Sequence, residues 1–554
     1  MDNQRLFLWL GLAIILWITW RTWVEDYGPQ QQPQPTVTEQ TADAPVRAPE
    51  DPDLPALADT DLPALTPGMP SDQDAPDLGP VVRVVTDVLD IDIALLGGDL
   101  VRAELPRYPL RKDQPDVPIR LLSAEPERRF VFQTGLRRLG DGPEPNHLAR
   151  FEADRSEYRL TPGQNELRVI LRWQNGEGVR AYKIYTFRRG QYRVDLEQRL
   201  VNESDAPWAG APYLQIQRRH LPPPRSLFSV ESYSFSGPVL FNGRSYDKLS
   251  VSDLHSTPVT QAVENGWLAA IQHHFLAAAV PTPGAVVNYR ASARDGVFTV
   301  SAVEPVTQVA PGTTASFDNR LFVGPKLQSQ LRQTADGLHK TVDYGILTIL
   351  SEPLFWLIDR THDVVQNWGL AIILVTVLIK LLFWKLTAIS GRSMAKMRKL
   401  QPRLKALQER YKDDRQALSK AMMDLYKREK VNPAAGCLPI LIQMPFFFAF
   451  YWVLLESVEM RQAPFALWIT DLSSRDPFFI LPLLMGAAMW FQQRLNPAPP
   501  DPVQARIMQV LPIIFTVFFA FFPAGLVLYW LTNTVLSALQ QWRINVVIER
   551  DAKA

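Results

Sequence analysis

Residues 368–384 read WGLAIILVTVLIKLLFW, an apolar run broken only by Thr376 and Lys380. Its length lies at the lower end of the roughly 17–25 residues that cross a hydrocarbon core of about 30 Å as a helix. A lysine near the middle of such a helix costs roughly 2.5–3.5 kcal/mol, so Lys380 must face a polar cavity or carry its ammonium to the surface. Lys385 follows shortly after; at 1.5 Å per residue the separation is about 7.5 Å along the axis, within reach of snorkelling. Thr376, one turn earlier on the same face, argues for a polar lining. The residues alone leave both readings open.

Outward from this run, further apolar runs follow at Cys437–Leu455, Phe478–Phe491, Ile507–Phe522 and Leu526–Leu539, and one precedes it at Leu6–Trp20. Together they predict six transmembrane helices, a multi-span α-helical membrane protein. Several runs fall below about 20 residues, and short spans thin the bilayer around them. Pro439 and Pro445 interrupt one run, with Gln443 between them. Each proline frees a carbonyl, which a membrane tolerates where protein or water satisfies it. Phe522-Pro523-Ala524-Gly525 is tight enough to join the last two spans directly. The first run exits through Trp20, Arg21, Thr22 and Trp23 rather than the small residues of a cleavage site, so 1–27 is expected to be an uncleaved anchor.

The stretch from Lys385 to Lys430 is the most basic of the chain. Met397, Leu400, Leu404, Leu407 and Tyr411 form one apolar stripe at helical spacing, and Leu418, Met422 and Leu425 another, with Asp413-Asp414 between them. This predicts an antiparallel helical hairpin over 388–434. Short loops rich in Lys and Arg stay in the cytoplasm. Counting spans from there puts both termini inside and the long segment between the first two spans outside.

That outer segment has two parts. Residues 28–80, rich in Pro, Asp and Gln, cannot bury enough apolar surface to fold and read as a disordered tether. From Val81 the pattern alternates: Leu167, Val169, Leu171 and Trp173, a turn at Asn175-Gly176, Tyr182 and Ile184, then Tyr192, Val194 and Leu196 after Gly190. Gly97-Gly98, Asn242-Gly243 and Asp295-Gly296 mark more turns. The expectation is an all-β, two-sheet sandwich over 81–343, ending in a helix at 326–340. Residues 344–362, amphipathic and containing Pro353, predict an interfacial helix, and 363–554 the helical core.

The 554 residues carry a formal net charge of +1 and one cysteine, Cys437, which excludes an intramolecular disulfide and a multi-cysteine metal site. No phosphate loop, zinc helix or nucleophile turn is present. No enzyme activity, cofactor or metal is expected. His273 and His274, adjacent and so expected on opposite sides of a strand, do not suggest a ligand pair.

Asn319–Lys326 (NRLFVGPK), Val342–Gly345 (VDYG), Pro353–Leu357 (PLFWL), Ser393–Met397 (SMAKM), Lys430–Pro433 (KVNP), Gly436–Pro445 (GCLPILIQMP), Ala463–Ile469 (APFALWI) and Phe522–Tyr529 (FPAGLVLY) resemble the YidC family of membrane protein insertases. The long outer domain resembles its Gram-negative members, in which that domain is a periplasmic β-supersandwich similar to sugar-mutarotase folds. The resemblance implies five core spans around a hydrophilic groove, open to cytoplasm and lipid, that holds one cation. By position that cation is Lys380. The family usually has arginine there, and lysine lacks the planar bidentate fork. Thr376, Gln443, Met444 and Pro445 would line the groove, with Tyr529 and Trp530 on the last span; many relatives have tyrosine where Trp530 stands.

The implied function is integration and folding of inner-membrane proteins, alone or with the Sec translocon and its SecD and SecF subunits. The implied partners are nascent inner-membrane proteins, the ribosome through the basic hairpin, and membrane lipid. Two other classes remain: a secondary transporter of an anionic solute, and a periplasmic sugar-binding module on a membrane anchor.

Overall fold

The computed structural model describes residues 79–221, 234–411, 414–429, 431, 438–495 and 502–551. The expected anchor, and the tether apart from Gly79 and Pro80, lie outside them. The first half of the described chain is a pair of packed sheets, one of eleven strands and one of nine. Strand pairs are antiparallel except Val81–Val85 with Glu157–Arg159. Glu166–Gln174, Val179–Arg188 and Arg193–Asn202 form a meander in the nine-stranded sheet, with Gly176 at φ 79° in the first turn. The alternation read from the sequence sends Val169, Leu171, Val194 and Leu196 into the core, where they are all buried. In the strand between them the core side is that of Ala181, Tyr185 and Phe187, not that of Tyr182 and Ile184 as the sequence suggested, and Tyr182 stays half-buried. A polar cluster sits inside it: Lys183 donates to the Thr134 carbonyl (2.6 Å) and hydroxyl (2.7 Å) on the facing sheet, 3.6 Å from Asp99.

Helix α1 is Val251–Ser256 and α2 is Gln328–Thr334. The helix expected over 326–340 is thus broken: Gly337, at φ 73°, leads into a separate 3-10 turn at Leu338–Thr341. A Cβ at Gly337 would strike the Phe241 ring at 2.6 Å, so only glycine fits.

Then come α3 (Thr348–Val365), α4 (Trp368–Leu382), α5 (Trp384–Arg410), α6 (Arg415–Arg428), α7 (Leu438–Glu456), α8 (Ile480–Leu495), α9 (Pro502–Phe519) and α10 (Ala524–Asp551). The Asn367 side chain caps α4 by accepting from Leu370 N, and Asp414 caps α6 by accepting from Gln416 N and Ala417 N. Helix α10 packs on α4, α5, α7 and α8, and α3 lies across α4 and α7. Helices α5 and α6 form a hairpin around Leu400, Leu404 and Tyr426. Among the described residues no single helix is long and apolar enough to cross a membrane; α4 and α5 together pass that test but bend by 68°.

The two halves meet in a polar seam. Lys326 donates to Glu456 Oε2 (3.0 Å) and to the Thr341 carbonyl (3.2 Å). Tyr344 accepts from Gln328 Nε2 (2.7 Å) and bonds Ser457 Oγ (3.3 Å), and Arg461 donates to the Pro109 carbonyl (3.2 Å). His273 and His274 prove not to flank a strand. They are the two-residue turn between Trp267–Gln272 and Phe275–Val280, with His273 at φ 47°. Their rings therefore stack, 3.7 Å between centroids, and both Nε2 atoms reach the Leu455 carbonyl, at 3.1 and 2.7 Å.

Candidate functional site

Helix α4 carries Lys380 two residues before its end, on the face that α10 covers. The residue is 5% exposed. Its ammonium donates to Asn533 Oδ1 (3.0 Å) and Ser537 Oγ (2.6 Å), which lie one turn apart on α10. Asn533 Nδ2 in turn donates to Gln443 Oε1 on α7 (3.2 Å), while Ser537 Oγ donates to its own helix at Asn533 O (2.7 Å). Three helices thus converge on one cation through neutral amides and a hydroxyl. Two of the three ammonium donors are used among the described residues, which leaves one for an incoming carbonyl or carboxylate.

The expected groove residues fall into three groups. Lys380 and Gln443 join through Asn533. Thr376 is buried one turn from Lys380, and its hydroxyl donates to the Ile372 carbonyl (2.6 Å), so it presents only lone pairs. Tyr529 and Trp530 belong to an aromatic cluster: Tyr529 stacks on Phe450 at 4.2 Å, and Trp530 meets Phe447 edge to face at 4.9 Å. Trp530 Nε1 is buried there with no hydrogen-bond partner among the described residues. Met444 is half-buried and Pro445 exposed; neither joins the lysine cage through a hydrogen bond.

Asn533 and Ser537 escaped the sequence reading. Their signal was present as polar residues at i and i+4 of the last span, beside Thr532 and Thr534, but only the fold shows which partner they face. Among the described residues no group of three or more His, Cys, Asp or Glu could hold a metal ion.

Fold and site define a class: a two-sheet β domain fused to an apolar helical bundle that keeps a lysine among amides in its interior. The 60Kd inner membrane protein family matches residues 360–551, and the YidC periplasmic domain matches 81–357. The chain is 48% identical to a membrane protein insertase YidC of Thioalkalivibrio sulfidiphilus, covering 100% of both chains. It is 47% identical to that of Alkalilimnicola ehrlichii, over 98% of this chain and 95% of the relative. A solved structure described as an active YidC insertase crystal structure with the first transmembrane domain resolved aligns at TM-score 0.38 and 19% identity, covering 83% of this chain and 93% of that one. The chain belongs to the YidC family of membrane protein insertases, inner-membrane proteins with a periplasmic domain.

Proposed function

We propose that this chain inserts clients through a polar groove between α4, α7 and α10, with Lys380 as its fixed attractive charge. The observation that carries this reading is the cage of Asn533, Ser537 and Gln443, which holds the ammonium in place without neutralising it. A hydrophilic, often acidic client segment enters from the cytoplasm and takes the remaining ammonium donor. Its apolar helix meanwhile slides past α7 and α9 into lipid. A polar half-channel shortens the path over which backbone must be dehydrated, and no nucleotide or covalent step is needed.

The topology proposed is six spans with both termini cytoplasmic, α5 and α6 as the cytoplasmic hairpin and the β domain periplasmic. The outer faces support it: Leu370, Leu374, Leu378 and Leu381 on α4, and Ile513, Ile514, Val517 and Phe518 on α9, are all exposed, a continuous apolar surface that water would not tolerate. On α3, Leu354, Phe355 and Ile358 are buried while Ile349, Trp356 and Val364 face outward, as suits a helix lying in the periplasmic interface. The same reading includes cooperation with the Sec translocon and its SecD and SecF subunits, and ribosome contact through α5 and α6.

The test places photo-crosslinkers at Thr376, Gln443 and Trp530 and offers ribosome-bound chains of a small single-span protein. Adducts at all three positions are expected. Their absence, with synthesis of the client intact, would sink the groove.

A further inference from the structure

Between α7 and α8 the chain builds a cap over the end of the bundle that meets the β domain. Its turn Phe465–Ile469 is closed by Phe465 N on the Ile469 carbonyl (2.9 Å) and by Ile469 N on the Ala466 carbonyl (3.0 Å). The turn is seated on the head of α4. Asn367 Nδ2 donates to the Phe465 carbonyl (2.8 Å), and the Phe465 ring lies so close to Gly369 that a Cβ there would meet it at 2.1 Å. Further along, Asp476 accepts from Phe478 N (3.0 Å) and Leu481 N (2.6 Å), which fixes Phe478 and Phe479 at the head of α8.

What this scaffold presents outward is apolar. Leu467 is 86% exposed, Phe478 64% and Phe479 40%. Leu467 and Phe479 also have left-handed backbones, at φ 53° and 56°, a conformation that strains a bulky side chain. In water the strain and the exposure are both unfavourable; among acyl chains the exposure becomes a gain. The charges of the cap agree with such surroundings. Asp476 is buried and Asp471 half-buried, whereas Arg475 is exposed, so the outer face offers a cation and no exposed carboxylate to lipid phosphates. The surface is also continuous with the outer faces of the bundle. Leu370 and Leu374 are exposed on α4 beneath the turn, Leu483 and Leu484 on α8 beyond Phe479, and Val364 at the end of α3.

We infer that this cap is an interfacial anchor: Leu467, Phe478 and Phe479 sit among the first acyl-chain carbons of the periplasmic leaflet, and Arg475 meets the lipid phosphates. The inference rests on the proposed topology, in which this end of the bundle is periplasmic. Its consequence for the groove is one of height. Lys380 follows Asn367 by thirteen residues, about 20 Å along α4, so a cap pinned at the headgroups fixes how deep the cation lies.

The test uses the full-length chain with Cys437→Ser, reconstituted alone in vesicles of phosphatidylethanolamine and phosphatidylglycerol. A bimane fluorophore is attached at Leu467→Cys, at Leu378→Cys on the outer face of α4, or at Glu177→Cys, exposed in a turn of the β domain. Two quenchers are compared, iodide in the water and a lipid with a nitroxide near the top of its chain. Relative to the label at 177, the label at 467 should be quenched about tenfold less by iodide and about tenfold more by the lipid, the ratio that about 1.4 kcal/mol of transfer gives. In a chain that keeps Leu467, a lipid with a diazirine at the same depth should label the segment 462–475. Leu467→Asn, which tolerates the left-handed backbone, should lower that labelling several-fold. Iodide access at 467 equal to that at 177 would overturn the anchor. So would shielding from both quenchers, the mark of a protein neighbour such as the Leu6–Trp20 run. The label at 378 separates the two readings: shielded from iodide while 467 is open, it sinks the anchor alone, whereas iodide access at 378 sinks the topology with it.

Discussion

Removing one half of the Lys326–Glu456 pair should loosen the joint between the β domain and the helical core far more than removing both halves. The charges are 3.0 Å apart, with side-chain exposures of 2% and 8%. At an effective dielectric near 20, opposite charges at that distance attract by about 5–6 kcal/mol, and desolvation of the two ions offsets most of it. Glu456→Leu leaves the ammonium buried with the Thr341 carbonyl as its remaining hydrogen-bond partner. An orphaned buried charge of that kind costs about 3–5 kcal/mol, whereas replacing both partners with apolar residues is neutral or stabilises by about 1–4 kcal/mol.

Hydrogen exchange of the full chain in detergent reads the joint directly, at amides 338–344 and 455–460. In Glu456→Leu they should open about 150-fold to 5,000-fold faster than in wild type, at tenfold per about 1.4 kcal/mol. In Lys326→Met/Glu456→Leu they should return to the wild-type rate or below. A single variant that accelerates opening less than about tenfold, or a double variant as exposed as the single, would refute the argument.

Four further outcomes are expected. Lys380→Leu should lower insertion of clients with acidic leading segments, scored by protease protection, while Lys380→Arg keeps it; equal insertion by the two would remove the electrostatic role. Asn533→Leu deletes one bond to a charged group, worth about 1.5–3 kcal/mol, so photo-adducts of acidic clients should fall by about ten- to a hundredfold, with neutral clients less affected. Gly486→Ala pushes a methyl group into the Thr516 hydroxyl between α8 and α9; overpacking of this kind costs about 1–3 kcal/mol, visible as a lower thermal midpoint in detergent.

The fourth concerns pH. Glu459 at the seam is half-buried as a residue, but its Oε2 is shielded from water with no partner among the described residues, and burial pushes its carboxyl from the usual range up to about 7. The folded state therefore holds a proton that the unfolded chain has released, so this group's contribution to stability falls as pH rises from about 4.5 to 7. Glu459→Gln should remove that slope in a series of thermal midpoints. An unchanged difference between variant and wild type across the window would disprove it.

Much of the β domain was legible because a strand's period of two is enforced locally: alternate side chains must go to water or to core. The residues of Glu166–Gln174 and Arg193–Asn202 obey it, whereas in Val179–Arg188 the five residues from Lys183 to Phe187 are all buried, so a strand covered on both faces hid its core side from the pattern. The helical stripes of the basic hairpin were legible for the same reason at a period of 3.6: Met397, Leu400 and Leu404 of the first meet Met422 and Leu425 of the second, together with Tyr426, which the stripes had not included. Turn chemistry was less forgiving. His273 and His274 look like strand residues until the hairpin closes at them, and the helix after Lys326 stops at Thr334, with Gly337, which must clear Phe241, opening the next turn.

The sequence by itself determined that Lys380 is an anomaly, since a cation in an apolar helix is costly wherever the helix lies. It could not choose between snorkelling and a cage. That choice depends on Asn533 and Ser537, more than 150 residues away, and on Gln443, which reaches the lysine only through Asn533. Cost is a property of one residue and its immediate neighbours in the chain. Partnership depends on which faces of α4, α7 and α10 are turned toward each other, and only the packing of the whole bundle sets that.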